Sequence, residues 1–203
     1  MINYLGLKID NNLTWDEHVN SIKSKISSVN FAIYRIRNIL PPKQLWMIYH
    51  AHIISHINYQ SPIWIGCAEY KLKEIQRIQN RTIKTIERKH RLTSTETLYT
   101  NRPNVKSIAY INTVVTIQKI KMNKIKNNVT LNTVGNNERQ TALRNQRNYR
   151  PIFSRTEKAK NSMQIRGIKW YNMLDNDIKN EENIVRFKKK TLEYILSNCN
   201  RIT

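Results

Sequence analysis

Apolar residues return every three or four positions from Trp15 to Leu40, where Trp15, Val19, Ile22, Ile26, Val29, Ile33, Ile36 and Leu40 form one stripe. That spacing matches a 3.6-residue turn and predicts a long amphipathic helix. Thr14-Trp15-Asp16-Glu17 precedes the stripe as a capping box, in which Thr14 accepts from the Glu17 amide and the Glu17 side chain reaches back. Pro41-Pro42 ends this helix, and Pro42 suits the first position of the next. On the second helix Leu45, Ile48, Tyr49, His52, Ile53 and His56 share a face. Regularity breaks around Pro62 and Gly66. Further helices are expected over about 69–88, 105–126, 162–174 and 182–198. Residues 3–10 alternate apolar and polar as a short strand does, and Asp10-Asn11-Asn12 makes a turn. The expected fold is therefore mainly α, a helical bundle preceded by a short N-terminal strand or hairpin.

Composition narrows this picture. A chain of 203 residues forms one domain, or one domain and a smaller tail. Its 4 Gly and 5 Pro favour long helices over a sheet with many tight turns. Stretch 127–151 is rich in Asn, Thr, Arg and Gln with hardly any apolar period, and reads as a polar linker. The net charge of +21 repels itself unless a polyanion neutralises it, so RNA, an RNA–DNA hybrid or DNA is the expected partner. No apolar run is long enough to span a bilayer, and the N-terminus has no signal or transit pattern. No membrane partner is expected, and the location is expected to be intracellular, nucleus or cytoplasm. Cys67 and Cys199 stand too far apart in sequence for a zinc finger and are expected to stay reduced.

The third helix carries the charge argument. Projected at 100° per residue, Leu72, Ile75, Thr82, Ile83 and Ile86 gather on one side. Lys73, Arg77, Arg81, Lys84 and Arg88 gather opposite, within an arc of roughly 80°. Like charges on neighbouring turns cost a few tenths of a kcal/mol per pair. A phosphate backbone turns that cost into attraction by counterion release, while a solvated face is the plainer reading. Lys89, His90 and Arg91 extend the ridge. On the first helix Ser21, Ser24, Ser27 and Ser28 lie opposite the apolar stripe with Phe31 among them. Small hydroxyl residues admit a nucleic-acid backbone, and Phe31 can stack on a sugar or base. Alternatively the serines are merely solvated and Phe31 packs on another helix.

Other chemistry finds little footing. His52 and His56 have the spacing of a two-histidine zinc face, but a third ligand is not evident, and an inter-helix hydrogen bond is the expected role. Asp175-Asn176-Asp177 has too few oxygen ligands to hold Mg²⁺ by itself. No Ser-His-Asp context and no glycine-rich phosphate loop are present, so no small-molecule substrate is expected.

Tyr4-Leu5-Gly6, Ile9-Asp10, Leu13-Thr14-Trp15 and His18 resemble a segment that follows the catalytic palm of non-LTR, jockey-like LINE retrotransposon reverse transcriptases. Tyr49-His50-Ala51, Tyr59 and Pro62-Ile63-Trp64 are similar to a later stretch of that family, as is Glu74-Ile75-Gln76-Arg77-Ile78-Gln79-Asn80-Arg81. Near the end, Gly167-Ile168-Lys169-Trp170-Tyr171-Asn172 and Phe187-Lys188-Lys189-Lys190 resemble its closing pattern, although Asp175 stands where Pro is commoner. The resemblance implies a primer grip at Tyr4, Leu5 and Gly6 within residues 1–12. It further implies a helical thumb-like domain over 13–126, the linker 127–151 and a C-terminal helical tail over 152–203. Lys73, Arg77, Arg81, Lys84, Arg88, Lys89 and Arg91 would hold the template–primer. In that family Mg²⁺ sits on palm aspartates, and no Asp-Asp pair occurs here, so this stretch would bind no cofactor and catalyse nothing on its own. The palm and fingers of a longer polypeptide would be its partners. Two rivals remain: a truncated remnant whose exposed apolar faces aggregate, and a basic helical module for RNA or an acidic protein.

Overall fold

The stripe that begins at Trp15 folds as helix α1 (Asp16–Ile36), with Val19, Ile22, Ile26 and Ile33 buried. In the computed structural model residues 1–125, 131–133 and 148–198 are described. Most of stretch 127–151 lies outside them, as does Cys199. The described residues are mainly α-helical, with a single hairpin at the start. Residues 3–10 are not one strand. Strands β1 (Ile2–Tyr4) and β2 (Leu7–Ile9) pair antiparallel with Tyr4 opposite Leu7. Leu5 and Gly6 between them both have positive φ, as a two-residue hairpin turn requires.

The entry to α1 differs from the expected capping box. Trp15 is the N-cap, in a left-handed conformation at φ 63, and makes no side-chain cap bond. Thr14 turns the other way, its hydroxyl 3.0 Å from Asp10 and 2.7 Å from Asp16. The Asp10 carboxylate accepts from the amides of Asn12, Thr14 and Trp15, each at 2.9 Å. The reason is the indole: swinging Trp15 into the core takes Thr14 out of reach of the first-turn amides. Helix α1 also ends at Ile36, earlier than the predicted Leu40, where the amides of Ile39 and Leu40 both donate to the Ile36 carbonyl.

Helix α5 (Glu69–Ile86) packs along α1 and runs parallel to it. Lys71 binds the Asp16 carboxylate and the Thr14 carbonyl, Lys23 meets Glu74 at 2.5 Å, and Asn30 meets Thr82 at 2.9 Å. Both residue numbers climb together, which only parallel helices allow. The returning crossover is α2 (Pro42–Ile48), a π-helical stretch Tyr49–Ile54, α3 (Ser55–Asn58) and α4 (Ser61–Trp64). Leu45, Tyr49, Ile53 and Ile57 are buried along it, spaced by four throughout. A regular α-helix would rotate such a set away from the core by about 40° per step, and the wider π turn removes the drift. His52 is consequently exposed and His56 half-buried, so neither sits on the expected apolar face. Tyr49 is buried, its hydroxyl accepting from Gln79 Nε2 at 2.9 Å, and burial pushes its phenol up to about 12.

Helix α6 (Val105–Lys121) is buried on nearly every side, as its all-round apolar composition requires. One end packs on α3, α4 and α5, and the other on α8 (Met163–Asn172) and α10 (Ile184–Ser197). Short helices α7 (Glu157–Lys160) and α9 (Asn176–Lys179) complete the C-terminal part. This part touches the α1–α5 side directly at Gly66, where an added Cβ would lie 2.8 Å from the Asn161 carbonyl oxygen. Beside it Arg166 donates to the Ile65 carbonyl at 3.1 Å and lies over the Trp170 ring at 5.0 Å. Gly66→Ala is expected to cost about 1–3 kcal/mol of unfolding free energy by forcing this seam apart. A urea titration that leaves the midpoint unmoved would refute the close approach.

His18 lies between Trp15 and Trp64, 4% exposed, and neither ring nitrogen meets a hydrogen-bond partner on the protein. Burial holds its imidazole below the ordinary value, with Lys25 and Lys8 acting the same way. His50 and His56 are lowered too, again chiefly by burial. Below about pH 6.5 the folded protein thus binds fewer protons than the unfolded chain. Stability is full above that value and is lost as the pH falls. Urea unfolding between about pH 7.5 and about pH 5 should show this decline, and His18→Leu should flatten much of it.

Candidate nucleic-acid interface

The residues that α5 leaves outside its packed face are largely cationic. Leu72, Ile75, Thr82, Ile83 and Ile86 are buried, as their side of the helix projection requires. Arg77, Arg81 and Lys84 face away from the seam and line a groove of about 1330 Å³ between the C-terminal halves of α1 and α5. Arg88, Lys89 and Arg91 close it from the loop after α5, and Arg37 joins from the end of α1. Among the described residues seven cations therefore line the groove, and no carboxylate does. Among those same residues Arg77, Arg81, Lys84, Arg88 and Arg91 make no ion pair, since the acids nearby are engaged elsewhere. Glu74 pairs with Lys23, and Glu87 pairs with Lys89 at 2.8 Å and Arg102 at 2.6 Å. Lys89 is thus partly neutralised. Lys73 lies outside the groove, 3.8 Å from Glu69 one turn back.

The groove also gathers what the sequence showed as a separate surface. Ser27 and Phe31 of α1 line it opposite the arginines. Phe31 does not pack under another helix; it is 62% exposed, with the Arg35 guanidinium 6.0 Å from its ring centre. Tyr34, one turn further on, is 50% exposed and lies 4.1 Å from the Arg37 guanidinium. Sequence reasoning passed over Tyr34 and Arg37, although their spacing from Phe31 along a helix was a usable signal.

Arg88 holds an unusual backbone position. Helix α5 closes with the Lys89 amide donating to the Lys84 carbonyl at 2.9 Å, which places Arg88 in the left-handed region at φ 54. Glycine is the common residue in such a closure, and Asn123 fills the matching place after α6. An arginine there carries a backbone cost of about 1 kcal/mol or more. Its guanidinium donates to the Arg37 carbonyl at 3.4 Å, and Lys84 donates to the Arg91 carbonyl at 2.8 Å.

The other residues singled out by the sequence fall elsewhere. Tyr4, Leu5 and Gly6 stand at the hairpin, against the Tyr59 ring, whose hydroxyl donates to the Leu5 carbonyl. The hairpin meets the start of α1, so about 16 Å of helix separates it from the groove's first residue, Ser27. The structure does not bring the triplet and the basic ridge together. Gln76 and Gln79 join α5 to the start of α6. Gln76 accepts from the Val105 amide at 2.8 Å, and Gln79 donates to the Pro103 carbonyl at 3.2 Å. Asp175 and Asn176 begin α9. Among the described residues no three of His, Cys, Asp and Glu stand together as a metal site would need, and no helix is long and apolar enough to cross a membrane. Compared with known proteins, the chain matches no family model, no curated protein and no solved structure.

Arg88→Gly should leave the unfolding midpoint unchanged or raise stability by up to about 1 kcal/mol, because the left-handed position suits glycine. The same variant should leave a heparin column at lower salt than the parent. A destabilised variant with unchanged heparin retention would show that Arg88 serves the fold alone.

Proposed function

We propose that this chain binds template–primer nucleic acid through its phosphate backbone, as a thumb-like part of a retrotransposon RNA-directed DNA polymerase. In this reading the chain holds the strand, and the metal-dependent chemistry belongs to palm carboxylates in the same polypeptide or a partner. The observation that carries the proposal is the groove between α1 and α5, where seven cations face one another without a carboxylate among the described residues. A solvated face of that kind gains nothing from clustering like charges, whereas a polyanion gains counterion release at each contact. The resemblance of the N-terminal and α5 segments to non-LTR reverse transcriptases supplies the polymerase context. The rival remnant reading rests on an uncovered apolar stripe, and on α1 that stripe is covered by α5 and the crossover.

Backbone recognition predicts steep salt dependence with little sequence preference. Fluorescence anisotropy with an RNA–DNA hybrid across a salt series should give a linear log–log plot. Replacing Arg77, Arg81 and Lys84 with Gln should flatten its slope by roughly one unit per contact, while Lys73→Gln, outside the groove, should change it little. Absence of binding by a folded monomer at low salt would reduce the ridge to a solvated face.

A further inference from the structure

A groove built for a duplex backbone alone needs cations and small donors. This one also presents two large rings. Phe31 and Tyr34 stand three residues apart on α1, so their Cβ atoms lie about 5–6 Å apart on one face of the helix. Both rings are at least half exposed and both line the same groove as Arg77, Arg81 and Lys84. Each has an arginine close in sequence beside it, Arg35 at 6.0 Å and Arg37 at 4.1 Å. Planar guanidinium groups next to exposed rings make a platform of π-faces and delocalised charge, which stacks on any base without reading its edge.

A duplex offers such a platform almost nothing, because its base faces are already covered by their neighbours. An unpaired strand offers one free face per nucleotide. We infer that the groove holds an unpaired nucleic-acid strand, its phosphates along Arg77, Arg81 and Lys84 and successive bases against Phe31 and Tyr34. The inference rests on the nucleic-acid reading above and adds to it the pairing state of the ligand. Ser27, one turn before Phe31, leaves room for the sugar–phosphate chain on the α1 side.

The test compares oligo(U) and oligo(dT) of about 12 nucleotides with an RNA–DNA hybrid of the same length. Binding of each to the full chain is followed by anisotropy. The double variant Phe31→Leu, Tyr34→Leu changes only exposed side chains, and circular dichroism checks that it stays folded. Affinity for the single strands is expected to fall at least about tenfold, as loss of base stacking requires, with an unchanged salt slope. Affinity for the hybrid is expected to hold. Ring-dependent binding of either oligomer supports the inference, and the tighter one identifies the sugar. Equal loss on single strand and hybrid, or no loss on either, overturns the stacking role while leaving the nucleic-acid reading intact. A parent protein that binds none of the three overturns both.

Discussion

Parallel packing of α1 on α5 is the constraint from which the rest follows. Ile26, Ile33, Ile75, Ile83 and Ile86 are all buried to within 1% of their surface, and each such side chain contributes about 1.5–3 kcal/mol. Repulsion between like charges on neighbouring turns costs only a few tenths of a kcal/mol per pair. The apolar seam therefore outweighs the charge row many times over, and the row can persist without acids to relieve it. Because both helices turn their apolar faces into one seam, their polar faces are forced to its margins. The cations of one and the rings of the other then share a groove.

Helix termini solve a second problem for a chain with 35 Lys and Arg against 14 Asp and Glu. Several cations bind backbone carbonyls in place of carboxylates, and these carbonyls cluster where helices stop. Arg88 uses that of Arg37 after α1, Arg166 that of Ile65 after α4, Lys179 that of Asn172 at the end of α8, and Lys121 that of Lys179 at the end of α9. The last turn of a helix leaves carbonyls without intrahelical donors and concentrates negative partial charge there. The cations thus neutralise helix ends, Arg88 at the surface and Arg166 and Lys179 in partly or fully buried positions. Burial still lowers the pKa of Lys179 and Lys121, and that of Arg166 to about 10, so these contacts compensate desolvation only in part.

Much of this was legible in the sequence. The periodicity from Trp15 to Ile36 and the two faces of α5 follow directly from 3.6-residue spacing, and the helices after residue 105 lie close to their predicted spans. What the sequence concealed was tertiary. Thr14 resembles a cap until Trp15 needs the core, and His52 shares a face with Tyr49 only if the helix stays α. The pairing of Lys73 with Glu69 was readable from their i, i+4 spacing, whereas the left-handed Arg88 was not. Phe31 and Tyr34 could be placed on one helix face, but only the packing of α1 against α5 shows which cations stand across from them.

The contacts that join α1 to α5 connect residues 51 to 57 positions apart. During synthesis the apolar face of α1 must wait for that much chain, which takes on the order of seconds at ribosomal rates. Through that interval the stripe has no partner, and loop closure over such a span has to precede any reward from burial. The positive charge spread along the nascent segment holds neighbouring copies apart meanwhile. Lys23, Lys25, Arg35, Arg37 and Lys43, all made before α5, thus act as a solubility device during synthesis, and Arg37 afterwards joins the groove of the finished protein.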